Sequence, residues 1–286
     1  MLVCDSCGEC LYRKQQNIAK QIGDDDKQAA YLAEIRSIID NRQEDDSAPY
    51  LVYLFGLKQR EYGIPTGTYP KEKYNTIIMD METEIEKKIE GAEDPLEMSL
   101  VFAQIGNYID FGAMNEVKTE VLYQLLEEKF GDGLDSQVYG QFLADCEKGG
   151  KFVLLCDNCG EIVLDKLMLR QLRKRFPKLE ITAMVRGKEV LNDATMEDAV
   201  FCGLDKEVTV IGNGNGAAGT VLKMLSDEAR QVIEEADLIL AKGQGNYESF
   251  SEYPGNVYYT FLCKCDLFTS RFQVPRLTGM FVKSGR

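Results

Sequence analysis

The sequence predicts an α/β fold in which a parallel sheet, covered by helices on both faces, follows a long helical region. Two patterns carry this expectation. Residues 1–148 place apolar side chains at helical spacing, whereas from residue 151 short β-rich runs alternate with amphipathic helical stretches. Gly149-Gly150 divides the two, so the boundary is expected there: a helical region over 1–148 and an α/β region over 149–286. At 286 residues the chain exceeds the size at which one core usually keeps growing, which agrees with two parts.

In the first part, segments 11–22, 27–41 and 70–90 read as helices; in the last, Tyr74, Ile78, Met81, Ile85 and Ile89 recur on one face. Asp94-Pro95 followed by Glu97 has the form of an N-cap with proline at the first helical position, opening a helix through Leu100, Val101, Ala103 and Ile105. In the second part the strands are KFVLLCD, EITAMVR, VTVIGNG and ADLILAKG, with helices expected over 161–176 and 219–235. Runs that are apolar throughout suit a parallel sheet buried on both faces. NVYYTFLC and the terminal GMFVKSG extend that sheet.

Composition narrows the chemistry. A formal charge of −14 opposes binding to a phosphate backbone, so nucleic acid is not an expected partner. No apolar run approaches the roughly 18 residues of a membrane span, and MLVCDSCGEC lacks the basic start and apolar stretch of a secretory signal. A cytoplasmic location and free thiols for the nine cysteines are the expectation. The absence of histidine removes the commonest general base, the commonest nitrogen ligand of zinc and every Ser-His or Cys-His nucleophilic pair. Carboxylates, amides, lysines and thiols remain, and hard oxygen ligands suit Mg²⁺ or Mn²⁺.

In an open parallel sheet ligands bind beyond the carboxyl ends of the strands. Those positions are polar here. The first run ends in Asp157-Asn158-Cys159-Gly160-Glu161, the second passes through Arg186 and Gly187 to Asn192-Asp193, the third enters Gly212-Asn213-Gly214-Asn215-Gly216, and the fourth ends at Lys242-Gly243-Gln244-Gly245-Asn246. Carboxylate and amide oxygens hold a hard cation, N–H groups of glycine-rich turns cradle phosphate, and a lysine neutralises charge. Asp157 or Asn158 taken singly reads as a helix cap; four polar strand ends together read as a site. Two other readings stand beside it. Gly214-x-Gly216-x-x-Gly219 fits the dinucleotide fingerprint of a nucleotide-binding Rossmann protein, although the next strand has its acid, Asp237, at the start and Lys242 at the end. Cys4-x-x-Cys7-x-x-Cys10, with Cys156-x-x-Cys159, has the spacing of a thiolate metal-binding module.

Three blocks resemble the metal-dependent damage-control phosphatases, formerly domain of unknown function 89: Asp157-Asn158-Cys159-Gly160-Glu161 with Asp165 a turn on, the Gly-Asn-rich segment ending Gly219-Thr220, and Ala236 through Glu248. Gly106-Asn107-Tyr108-Ile109-Asp110 is similar to the family's Gly-Asn-x-x-Asp element, and the N-terminal cysteines are similar to its small prokaryotic branch. The resemblance implies a Rossmann-like three-layer α/β/α domain with an N-terminal α-helical domain. It implies Asp157, Asn158 and Asp193 as ligands of a divalent cation (Mg, Mn, Co or Ni), with Asp157, Asp193 and Lys242 catalytic and Lys242 on the phosphate. Asn107, Asp110, Gly214, Asn215, Gly243 and Gln244 would bind the substrate. That substrate would be a small phosphorylated metabolite such as a sugar phosphate or a phosphopantetheine derivative. No second Asp stands two positions after Asp157, which sets the chain apart from phosphatases with an Asp-x-Asp pair and points to attack by water.

Overall fold

The computed structural model describes residues 1, 3–65, 69–112, 117–128 and 133–284. Among the described residues seven helices precede the sheet: α1 (Asp5–Ala19), α2 (Asp25–Asp40), α3 (Ala48–Glu61), α4 (Lys71–Glu90), α5 (Pro95–Gly106), α6 (Thr119–Glu128) and α7 (Ser136–Glu147). The expected cap of α5 is formed: Asp94 Oδ1 accepts from the N–H groups of Leu96 at 3.0 Å and Glu97 at 3.2 Å, with Pro95 at the start. Then follow β1 (Gly150–Leu155), α8 (Glu161–Arg175), β2 (Leu179–Val185), α9 (Met196–Phe201), β3 (Thr209–Gly212), α10 (Asp227–Glu234), β4 (Leu238–Lys242), α11 (Gly243–Phe250), β5 (Val257–Leu262), α12 (Asp266–Phe272) and β6 (Gly279–Lys283). Gly285, the last residue of the run GMFVKSG, lies outside the described residues.

The strands form one sheet in the order β3-β2-β1-β4-β5-β6. The first five are parallel, and β6 joins β5 antiparallel. The chain therefore changes direction of winding between β1 and β4, the place where such sheets open a crevice at their carboxyl edge. One face carries α4 through α8 in a continuous core with Phe152, Leu154, Ala183, Leu240 and Tyr258. The opposite face carries α10, α11 and α12 against Val153, Leu155, Ile239 and Tyr259. This is a three-layer α/β/α arrangement, and α1–α3 bring their own small core of Tyr31, Ile35, Leu51 and Phe55. Gly149 and Gly150 both take positive φ where the sheet begins, a conformation suited to glycine. The apolar core nevertheless runs through that point, because α4–α7 supply one of the layers.

The helix expected over 219–235 is shorter. A single turn of 3₁₀ helix, Leu222–Met224, precedes α10, whose N-cap is Ser226. No helix starts at Gly219, so the dinucleotide reading loses the helix N-terminus that it requires. Among the described residues no helix is long and apolar enough to cross a membrane.

Candidate active site at the sheet switch point

β1 delivers Asp157 and Asn158 to the crevice, and the segment after β2 folds back to meet them. Ala194 N donates to Asp157 O at 2.7 Å, Cys159 N donates to Asn192 O at 2.8 Å, and Asn158 and Asp193 form an isolated antiparallel bridge. The three residues expected to hold a cation are thus brought together and are buried. Neither Asp157 nor Asn158 caps α8: its N-cap is Gly160, at φ +70°, with no side-chain cap. Their side chains turn inward instead.

Arg186, which follows β2, spans the two carboxylates. Its Nε donates to Asp193 Oδ2 at 2.6 Å, its Nη2 to Asp157 Oδ1 at 3.2 Å and its Nη1 to Asn246 Oδ1 at 3.3 Å. Asp157 Oδ2 accepts from Asn158 Nδ2 at 2.7 Å and Asn107 Nδ2 at 3.0 Å. Burial first, then the charges of Asp193 and Glu161, push the Asp157 carboxyl far above its ordinary range. Burial pushes Asp193 up to about 6 although Arg186 opposes it.

Asn107 reaches the site because α5 and α8 touch at Gly106, where a Cβ would crowd the backbone of Glu161 at 3.1 Å. Its amide is fully used: Nδ2 also donates to Glu161 Oε2 at 3.1 Å, and Oδ1 accepts from Leu262 N at 3.1 Å. It is 0% exposed, so in this structure it holds Asp157 and does not line an open pocket. Asp110 accepts from Gly112 N at 2.8 Å and from Lys264 Nζ, beyond the end of β5, at 2.7 Å.

Lys242 departs from the expected pose. It is 0% exposed, and its ammonium donates to Ala103 O at 2.9 Å, Glu161 Oε1 at 2.7 Å and Asp165 Oδ1 at 2.6 Å. All three of its donors are spent inside the protein, so a phosphate contact would require a different orientation. Burial works to lower its pKa, and Asp165 and Glu161 outweigh burial and hold it charged.

The glycine-rich segments divide. After β3, Asn215 turns inward: Nδ2 donates to Met224 O at 3.1 Å and Oδ1 accepts from Ala217 N at 2.9 Å. Gly214, at φ +86°, packs against Ser226. These two shape the loop. α11 begins at Gly243 with no side-chain cap, and Gly243 lies against Asp157, so the start of this helix stands at the carboxylates. Gln244 is tied to the segment beyond β5 through Lys264 N, which donates to its Oε1 at 2.8 Å.

Two carboxylates and an amide converge, a donor set of hard oxygens. Asn158 Oδ1 and Asp193 Oδ1 accept no hydrogen bond from the described residues. Two ion-pair groups lie here, Arg186 between Asp157 and Asp193 and Lys242 between Glu161 and Asp165, each with one more carboxylate than cation. A divalent cation fits both the donor type and that excess. No group of three or more Cys, His, Asp or Glu side chains is placed to hold a metal among the described residues. Cys156 and Cys159 are buried, and burial raises both thiols, Cys159 to about 12. The larger of two described cavities, 480 Å³ along β6, contains none of these residues.

Arg186, Lys264 and Glu161 join the site although their sequence context alone assigns them no role. Arg186 and Lys264 follow the apolar runs of β2 and β5, the same signal that singled out Lys242.

The family model described as the damage-control phosphatase ARMT1-like domain matches residues 3–277. A damage-control phosphatase of Archaeoglobus fulgidus is 32% identical over 264 residues, covering 88% of each chain. An uncharacterised protein of Methanocaldococcus jannaschii is 32% identical over 274 residues, covering 91% of this chain and 88% of its own. Among solved structures, a domain-of-unknown-function-89 family protein of Pyrococcus horikoshii superposes with a TM-score of 0.76 over 99% of both chains at 24% identity, which is a likeness of fold.

Proposed function

Because the chain belongs to the damage-control phosphatase ARMT1-like family, we propose that it is a divalent-cation-dependent phosphatase releasing phosphate from monoesters of small metabolites. One observation supports this reading above the others: Asp157, Asn158 and Asp193 converge at the β1/β4 switch point, where two buried carboxylates share the single guanidinium of Arg186. Sugar phosphates and phosphopantetheine-like compounds are the proposed substrates, and Mg²⁺, Mn²⁺, Co²⁺ or Ni²⁺ the proposed cation.

Asp157, Asn158 and Asp193 would hold the cation, which when bound supplies positive charge to a phosphoryl oxygen and acidifies water. Arg186 keeps the two aspartates apart and oriented, and Asn107 fixes Asp157 from the helical side. Uncapped N–H groups at the start of α11, at Gly243 and Gln244, are suited to phosphoryl oxygens. Lys264, beside Asp110, adds a cation on the same edge. With no histidine in the chain, proton transfer from the attacking water falls to a carboxylate of this cluster.

The test is a phosphometabolite panel assayed with each of the four cations and after chelation. The expected result is cation-dependent release of phosphate that Asp157→Asn and Asp193→Asn abolish while the protein stays folded. Turnover in chelated protein, or undiminished turnover in both variants, would overturn the reading.

A further inference from the structure

The amide of Asn158 is oriented by acceptors alone. Its Nδ2 donates to Asp157 Oδ2 at 2.7 Å and to Glu161 Oε2 at 2.9 Å. Both N–H groups of this amide are thus taken by carboxylate oxygens, and a flipped amide would set its own oxygen against those two instead. The Asn158 carbonyl oxygen is thereby turned away from them. Glu161 does the same for Asn107, whose Nδ2 it accepts at 3.1 Å.

Glu161 is itself held. It is 0% exposed, and its other oxygen, Oε1, accepts from Lys242 Nζ at 2.7 Å. One cation and two amides face this carboxylate, so both of its oxygens are engaged. Asp165 shares the ammonium of Lys242 from the far side, and no hydrogen bond joins it to either amide. One chain of contacts therefore runs from Lys242 through Glu161 to Asn158, while Asp165 stands off that chain.

We propose that Glu161 is a positioning residue that fixes the Asn158 amide with its carbonyl oxygen available to a divalent cation, and that Lys242 acts through Glu161 without touching substrate. This rests on the reading that Asp157, Asn158 and Asp193 hold the cation. Residues that orient ligands from behind typically alter metal affinity 10- to 100-fold when replaced, because the ligand loses its fixed direction.

The experiment is calorimetric titration of Mn²⁺ into chelator-stripped protein without substrate, with the melting temperature of each stripped variant measured alongside. Glu161→Gln, whose amide is able to present N–H to Asn158, is expected to raise the Kd roughly 10- to 100-fold. Asp165→Asn alters the other carboxylate on Lys242 but leaves the amides alone, and is expected to bind near wild type. Should Glu161→Gln not fold, Glu161→Asp keeps the charge and shortens the reach, and is expected to weaken binding as well. Wild-type affinity in the folded Glu161 variant, or equal weakening by Asp165→Asn, overturns the proposal. If the wild-type protein takes up no Mn²⁺, or Asp157→Asn takes it up unchanged, the cation site itself is wrong. If Asp157→Asn alone loses binding, the site stands and only the role of Glu161 falls.

Discussion

Gly243 lies so close to Asp157 that a Cβ on it would run into the Asp157 carboxylate. Its φ of +80° is itself a conformation that side chains disfavour. We predict that Gly243→Ala displaces the carboxylate and removes most phosphatase activity. Gly203, at φ +74° with nothing within 4 Å of its Cβ position, is the control: Gly203→Ala incurs the same left-handed strain, roughly 1–2 kcal/mol, without the collision. Equal activity in the two variants would mean that the contact with Asp157 is inconsequential.

Arg186 separates two buried carboxylates that repel each other. Arg186→Met is expected to destabilise the cation-free protein by roughly 3–5 kcal/mol, because removing one partner leaves buried charge uncompensated. Added Mn²⁺ should raise the melting temperature of the variant more than that of the wild type, since the cation then offsets charge that Arg186 no longer does. Calorimetric melting with and without Mn²⁺ checks this; an equal rise in both would separate the carboxylates from the cation.

Asn107 donates to Asp157 and Glu161 and accepts from Leu262 N. Asn107→Ala is expected to cost roughly 1–3 kcal/mol through the partners left unpaired. Asn107→Asp, nearly the same shape, should be worse, because it turns an oxygen toward two carboxylates. Urea denaturation ranks the two. If Asp matches or exceeds Ala in stability, the amide does not face the carboxylates.

The strand ends were legible in the sequence because parallel strands buried on both faces are apolar throughout and stop abruptly at polar residues. That logic placed Asp157 and Asn158 correctly at the end of β1 and Lys242 at the end of β4. It gave no direction for a side chain: Lys242 turns back under the sheet edge toward α8, and only the partners on α5 and α8 decide that. Glu161 was hidden by its position, since an acid in the first turn of a helix is ordinary for dipole reasons. Lys264 is obscured because NVYYTFLC, the run before it, looks in sequence like an extension of the sheet and not like a strand feeding the crevice. The shortened helix near 219–235 has a local cause: Ser226 caps α10 by accepting from Ala229 N at 3.2 Å, which starts that helix late.

Asp165 gives a pH signature independent of catalysis. Its Oδ1 accepts from Lys242, whereas its buried Oδ2 has no partner among the described residues. Burial, with Glu161 adding and Lys242 opposing, raises its pKa from 3.8 to about 7, so the folded protein holds this proton more tightly than the unfolded chain. For a raised pKa the sign is fixed: the stabilisation is fully present below the unfolded value near 4 and is lost as pH climbs to about 7. Asp165→Asn keeps a neutral side chain at every pH and lacks this loss. Relative to the variant, chelator-treated wild-type protein should therefore lose stability between pH 5 and pH 8, with the difference levelling off above the folded value. Urea denaturation of both proteins across that range measures the slope. Parallel curves would show that Asp165 is ionised in the folded protein throughout, with Lys242 and its surroundings compensating the charge completely.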